Sequence, residues 1–241
     1  MSFDNSASGF GRGEGIGCII LKKLDDAIAD GDRIRAVIRN TGMNQDGRTQ
    51  GISMPNGAAQ AELIRSVYDS AGLDPAETGY VEAHGTGTKV GDPIEASALH
   101  SVFGEGRSAK DPLYVGSIKS NVGHAEGSSG ILAIIKTALM LEKGFILPNI
   151  NFKRPNEAIP LGEWGMKVCM PSLLSPSRLD LTKRRRFRKH SFRGLVRSAS
   201  QVLITLASAA QTATPYSKVL LNHPRPTEPT NQSRTAQQQV T

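Results

Sequence analysis

Between residues 33 and 143, short runs of branched and aromatic residues alternate with longer stretches of helical period. That alternation restricts the fold more than anything else in the chain. Residues 33–38 (R-I-R-A-V-I), 79–83 (G-Y-V-E-A) and 113–118 (L-Y-V-G-S-I) read as strands. Residues 58–71 put Ala61, Ile64 and Tyr68 on one helical face, with Gly72 just past the end. Residues 93–103 read as a helix with Pro93 in its first turn and Asp92 as its cap. Residues 128–143 form a strongly apolar helix closed by Gly144, and 25–30 a short one ending at Gly31. Residues 15–21 (G-I-G-C-I-I-L) are expected to be a buried strand, and 43–55, containing N-Q-D-G, a long loop. Strands alternating with helices of this length pack as an α/β layered sheet.

The pattern stops near residue 168, where a boundary is placed. The formal charge of +7 is unevenly spread: residues 170–241 carry 12 Lys+Arg and 2 Asp+Glu, residues 1–169 carry 17 and 20. The body is mildly acidic and the basic character belongs to the tail, which is expected to be disordered from residue 169 onward. The tail's K-R-R-R-F-R-K at 183–189 would suit a nucleic-acid patch. With only Phe187 and Phe192 nearby and no recognition motif, it reads more readily as a plain charge run. The two cysteines, Cys18 and Cys169, have neither CxxC nor metal-ligand spacing. No basic-plus-apolar leader opens the sequence and no apolar stretch is long enough to span a bilayer, so a cytoplasmic protein is expected.

Two stretches could carry chemistry. In Y-V-E-A-H-G-T-G-T (80–88), His84 stands at the end of a strand, just before glycines that let a ligand approach the backbone. In G-S-I-K-S-N-V-G-H-A-E-G-S-S-G (116–130), Lys119, His124 and Glu126 follow another strand and precede a helix N-terminus. Either alone reads equally well as a satisfied turn. Two strand-end histidines set among glycines suit a reaction that develops negative charge on oxygen, because aimed N–H donors stabilise an enolate.

These motifs, E-A-H-G-T-G-T…G-D-P-I-E-A followed by G-S-I-K-S-N-V-G-H-A-E-G-S-S-G, resemble the β-ketoacyl synthase domain of polyketide and fatty-acid synthases. F-D at 3–4, G-R-G-E-G at 11–15, I-R-A-V-I-R at 34–39, N-Q-D-G at 44–47 and P-N-I-N-F at 148–152 are similar to the same domain in the same order. The nearest likeness is to iterative, highly reducing type I polyketide synthases, over residues 1–168. The resemblance implies a thiolase-like fold, C-terminal half only, and decarboxylative Claisen condensation: malonyl on an acyl-carrier protein loses CO2, and its enolate attacks an enzyme-bound acyl thioester. It casts His84 and His124 as donors to the malonyl thioester carbonyl and Lys119 as the residue that holds and tunes the second histidine. It places Thr86 and Thr88 against the phosphopantetheine arm, the carrier protein's own group, with no cofactor or metal bound directly. Glu126 is the candidate partner of Lys119. Family ketosynthases are dimers, which leaves pairing of this chain open.

The family's nucleophilic cysteine belongs to a segment upstream of F-D…G-R-G-E-G, so no nucleophile is assigned. Cys18 reads as a structural cysteine inside an apolar strand, and Cys169 lies where the resemblance ends. The isolated chain is therefore expected to be inactive. A non-catalytic remnant that keeps the carrier or pantetheine surface is one alternative, and a basic-tailed nucleic-acid binder another. The family's closing glycine-rich phrase is also missing as written. Yet codons built from the last base of one residue and the first two of the next let residues 201–218 spell A-S-V-N-N-F-G-F-G-G-T-N-G-H-A-I-L-E, and residues 193–195 spell P-W-P. Residues 169–241 are thus expected to be an out-of-frame extension, from a retained intron or an insertion or deletion.

Overall fold

The strand Thr78–Glu82 explains the layering. It is buried throughout, and its side chains alternate between two apolar clusters. Val81, with Ala83 just beyond the strand, faces one cluster, and Tyr80 faces the other. A strand covered on both faces belongs in the middle of a sheet between helices.

The computed structural model describes residues 1–49, 51, 54–143 and 146–170, and the backbone of residues 201–207 and 215–222. In chain order the elements are α1 (Leu24–Ala29), β1 (Val37–Gln45), α2 (Gly57–Ala71), β2 (Thr78–Glu82), α3 (Gly91–Phe103), β3 (Leu113–Gly116), α4 (Lys119–Val122), α5 (Ser129–Lys143), β4 (Met166–Val168), β5 (Gln201–Ala207) and β6 (Pro215–Asn222). The six strands form one mixed sheet in the order β1-β6-β5-β2-β3-β4. β5, β2, β3 and β4 run parallel; β6 is antiparallel to both β5 and β1.

Helices α2 and α3 cover one face. Leu63, Ile64, Val67 and Tyr68 of α2 meet Leu99 and Phe103 of α3, and the rings of Tyr68 and Phe103 stand edge-on at 5.5 Å. Helix α2 is well bounded: Asn56 accepts from the Ala59 N–H at 3.1 Å, and Gly72 closes the helix at φ 61°. Helix α5 covers the opposite face with Ala133, Met140 and Leu141 against Tyr80. Among the described residues no helix is long and apolar enough to cross a membrane.

The α/β layered architecture agrees with the sequence reading, but several local expectations change. β1 starts at Val37, not residue 33, and runs through Gln45 into the expected loop. Its pairing with β6, from Val37 opposite Asn222 to Gln45 opposite Pro215, holds the polar sequence N-T-G-M-N-Q extended. Residues 15–21 are not a strand: they have no ladder partner among the described residues, and Ile16 is fully exposed. Cys18, expected to be buried, is exposed with them. Helix α3 is not capped by Asp92; the hydroxyl of Thr88 accepts from the Gly91 N–H at 3.0 Å. Beyond β4, Cys169 is buried, and the described backbone of residues 201–207 and 215–222 forms β5 and β6, whose sequences are rich in strand formers. Gly144 and the basic run 183–189 lie outside the described residues.

Candidate active site

His84 stands two residues past the end of β2, and the segment after the neighbouring parallel strand β3 carries Lys119 and His124. Parallel pairing of β2 with β3, Glu82 opposite Gly116, brings both loops to the carboxyl ends of adjacent strands. The two imidazoles meet there: their ring centroids are 5.4 Å apart and the rings are nearly perpendicular, at 86°. His84 is half-buried and His124 buried.

Each histidine is held by its surroundings. The Glu95 carboxylate, projecting from α3, accepts from the backbone N–H groups of His84 and Gly85, both at 2.8 Å. The Ser117 hydroxyl donates to the His84 carbonyl at 3.2 Å. On the second loop, the backbone of His124 lies against residues 11–13: its N–H donates to the Gly11 carbonyl at 2.8 Å, and its carbonyl accepts from the Gly13 N–H at 3.0 Å. The Phe10 ring tilts against the His124 ring at 5.0 Å. His124 Nδ1 accepts from the Glu126 N–H at 3.0 Å, and the Ser129 hydroxyl sits 3.2 Å away. An N–H donor at Nδ1 fixes the neutral tautomer with its proton on Nε2, so this ring offers an N–H as a donor.

Electrostatics keeps that ring neutral. Burial lowers the pKa of His124, and the Lys119 charge lowers it further. Burial also lowers the pKa of Lys119, opposed by the carboxylates of Glu95, Glu82 and Asp92. With His124 depressed below its ordinary 6.5, the unfolded chain takes up this proton first. The ring's contribution to stability is complete above pH 6.5 and is lost as pH falls through the folded value. Removing the nearby ammonium in Lys119→Met should move the His124 midpoint upward, though not fully to the ordinary value because burial remains the larger cause. Ring-nitrogen NMR titration reads this directly, and an unmoved midpoint refutes the coupling.

The structure brings His84, His124 and Lys119 into one neighbourhood and separates Glu126 from its expected role. Glu126 ion-pairs with Arg12, and the carboxylates acting on Lys119 are Glu95, Glu82 and Asp92. The reason is geometric: Glu126 takes a left-handed backbone at φ 46° as the loop turns into α5. Thr86 and Thr88 flank Gly87 with hydroxyls 3.4 Å apart, Thr88 being also committed to the start of α3. Asp92 accepts from the N–H groups of Phe3 (2.7 Å) and Gly87 (3.0 Å), pinning residues 1–7 to the glycine loop; burial pushes its carboxyl up to about 6 against those bonds. Neither cysteine supplies a reactive thiol at the histidine pair. Cys18 is exposed on the 15–21 segment, and burial raises the pKa of Cys169, which packs in the cluster with Tyr80 and Met140. The sequence reading missed Glu95 and Phe10. For Glu95 the signal was present in G-D-P-I-E, two carboxylates three residues apart at a helix start.

A sequence profile described as "Beta-ketoacyl synthase, C-terminal domain" matches residues 35–153, and one described as "Beta-ketoacyl synthase, N-terminal domain" matches residues 1–27; together they cover more than half of the chain. "Highly-reducing polyketide synthase 1" of Aureobasidium melanogenum is 62% identical over 169 residues, 70% of this chain and 8% of that protein. "Highly reducing polyketide synthase ausV" of Aspergillus calidoustus is 59% identical over 167 residues, 69% of this chain and 7% of that protein. Among solved structures, the ketosynthase from module 6 of the bacillaene synthase of Bacillus subtilis 168 superposes with a TM-score of 0.74 at 32% identity, over 93% of this chain and 37% of that one. The chain thus spans less than a tenth of the curated relatives it matches. The chain belongs to the β-ketoacyl synthase family, and it carries the C-terminal part of a thiolase-like ketosynthase domain similar to that of highly reducing polyketide synthases.

Proposed function

We propose that His84 and His124 bind the thioester oxygen of a malonyl group, delivered on the phosphopantetheine arm of an acyl-carrier protein, and stabilise the enolate formed as CO2 leaves. The observation that carries this reading is the convergence of two imidazoles, from separate loops, at 5.4 Å. In the step, the bond from the α-carbon to the carboxylate breaks and its electron pair moves toward the thioester oxygen. Two N–H donors stabilise that charge most where it develops. The α-carbon then attacks the carbonyl of an acyl thioester and expels its thiolate. Burial, with the Lys119 charge adding to it, keeps His124 neutral, hence a hydrogen-bond donor and not an acid. Thr86 and Thr88 lie along the approach of the pantetheine arm.

The test uses a malonyl-thioester analogue whose carboxylate is replaced by a sulfonate, carried on pantetheine. Binding should move the ring-nitrogen signals of both His84 and His124 and leave those of His100, stacked on Trp164, in place. His84→Ala and His124→Ala should each weaken binding roughly tenfold, the value of one hydrogen bond. Saturation without movement at either ring overturns the assignment.

We further propose that residues 169–241 are translated out of frame. The shifted phrase supports this in its placement: its A-S-V-N-N-F-G falls on β5 and its A-I-L-E begins on β6, so its glycine-rich centre lies in the interval between two strands. Transcript and genomic sequencing decide the point; codons that cannot spell F-G-F-G-G-T-N in the shifted frame end the idea.

A further inference from the structure

Three side chains on the α5 side of the sheet are closed off from water without taking part in the proposed chemistry. Glu82 is 0% exposed and Lys136, from α5, 5% exposed. Glu82 Oε2 accepts from the Lys136 ammonium at 2.7 Å and from the Tyr80 hydroxyl at 2.6 Å, and Lys136 also donates to the Tyr80 oxygen at 3.0 Å. Burial, with the Glu82 charge adding to it, drives the Tyr80 phenol well above its ordinary pKa, so Tyr80 remains a donor. The other oxygen, Oε1, accepts from the backbone N–H of Ile118 at 2.5 Å.

A buried ion pair is weak evidence for stability, since apolar residues of like volume often replace one at no cost. What an apolar pair cannot replace is the bond to Ile118. Glu82 stands two residues before His84. Ile118 stands immediately before Lys119 and is the residue from which α4 starts. One carboxylate therefore ties the strand end that presents His84 to the turn that presents Lys119 and His124. Helix α5 reaches both parts, through Lys136 to Glu82 and through Ser129 to the His124 ring.

We propose that Glu82 is a positioning residue: its Oε1 clamps the Ile118 amide and so sets the separation of the His84 and His124 rings, while Lys136 and Tyr80 hold the carboxylate in place. The inference rests on the two-histidine reading above, but its primary readouts need no ligand.

Two double variants of the full chain separate a clamp from a mere core contact. Both remove the charges and keep the volume, so both are expected to fold. Glu82→Gln with Lys136→Met keeps an oxygen acceptor for Ile118; Glu82→Leu with Lys136→Met does not. In the first, Ile118 amide exchange stays slow and the ring–ring NOE between His84 and His124 persists. In the second, Ile118 exchange speeds up roughly 100-fold as its local opening becomes easier, and the NOE is lost while near-ultraviolet circular dichroism stays native. The malonyl-analogue affinity should follow the NOE, falling about tenfold only in the leucine variant. An NOE retained in the leucine variant overturns the proposal, and so does its equal loss in both variants. Should the analogue fail to bind even the unmodified chain, the two-histidine reading falls, while exchange and NOE still judge the clamp.

Discussion

Replacing Gly123 by alanine is expected to lower the melting temperature by roughly 10 °C or more, for a cost of about 3–5 kcal/mol. Gly123 sits at φ 77° and ψ −174°, a combination almost confined to glycine. Its neighbours add a second penalty. A Cβ there would lie 2.9 Å from the Gly11 carbonyl oxygen and 3.0 Å from the Arg12 carbonyl, backbone atoms that no rotamer change can move away. The facing Gly13 is tighter still, since a Cβ on it would fall onto the Val122 carbonyl oxygen. The two glycines let residues 11–13 and the His124 loop lie backbone to backbone, which is how the His124 ring is aimed. Thermal unfolding checks the stability, and the ring–ring NOE checks the aim; a melting temperature within 2 °C of the unmodified chain would mean that the loop relaxes freely.

Removing one partner of the buried ion pair should cost as much. Glu82→Ala leaves the Lys136 ammonium enclosed, with Tyr80 as its remaining hydrogen-bond partner among the described residues. The loss of a single partner from such a pair is worth about 3–5 kcal/mol, because the residual charge is uncompensated. The expected result in urea is a much lower midpoint with an unchanged slope. Glu82→Leu combined with Lys136→Met should return stability to within about 1–2 kcal/mol of the unmodified chain, since it removes both charges and restores the volume. A midpoint unchanged by Glu82→Ala would mean that water reaches Lys136.

The elements that could be read from the sequence are those whose local pattern and tertiary role agree. Helix α2 shows its apolar stripe and its Gly72 stop in the sequence, and the structure places it at Gly57–Ala71, within one residue of the expected 58–71. β2 and β3, with the histidines after them, were legible because strand-end position and glycine context point the same way. β1 departs from the expected 33–38 because its C-terminal end, residues 43–45, falls in the stretch that reads as a loop; pairing with β6, distant in the chain, draws it into the sheet. Residues 15–21 fail in the opposite sense: their composition is that of a strand, but a strand also needs a neighbour to satisfy its backbone groups. The Lys119–Glu126 pairing was inferred from closeness in sequence, whereas Glu82, Glu95 and Asp92 come from other elements. Glu82 was hidden in plain view, a carboxylate in a run that otherwise reads as core.

The uncovered 15–21 segment ties the site to its surroundings. Gly17 rests against Ile131 and Ile135 of α5, so the segment lies directly on the helix that carries Lys136 and Ser129. Ile16 and Ile20 face solvent, at 100% and 95% exposure. Burying an isoleucine is worth about 1.5–3 kcal/mol, so covering these two is comparable with a substantial part of a domain's whole stability. By mass action, any body that covers them raises the free energy needed to open α5, and with it the rigidity of the histidine pair.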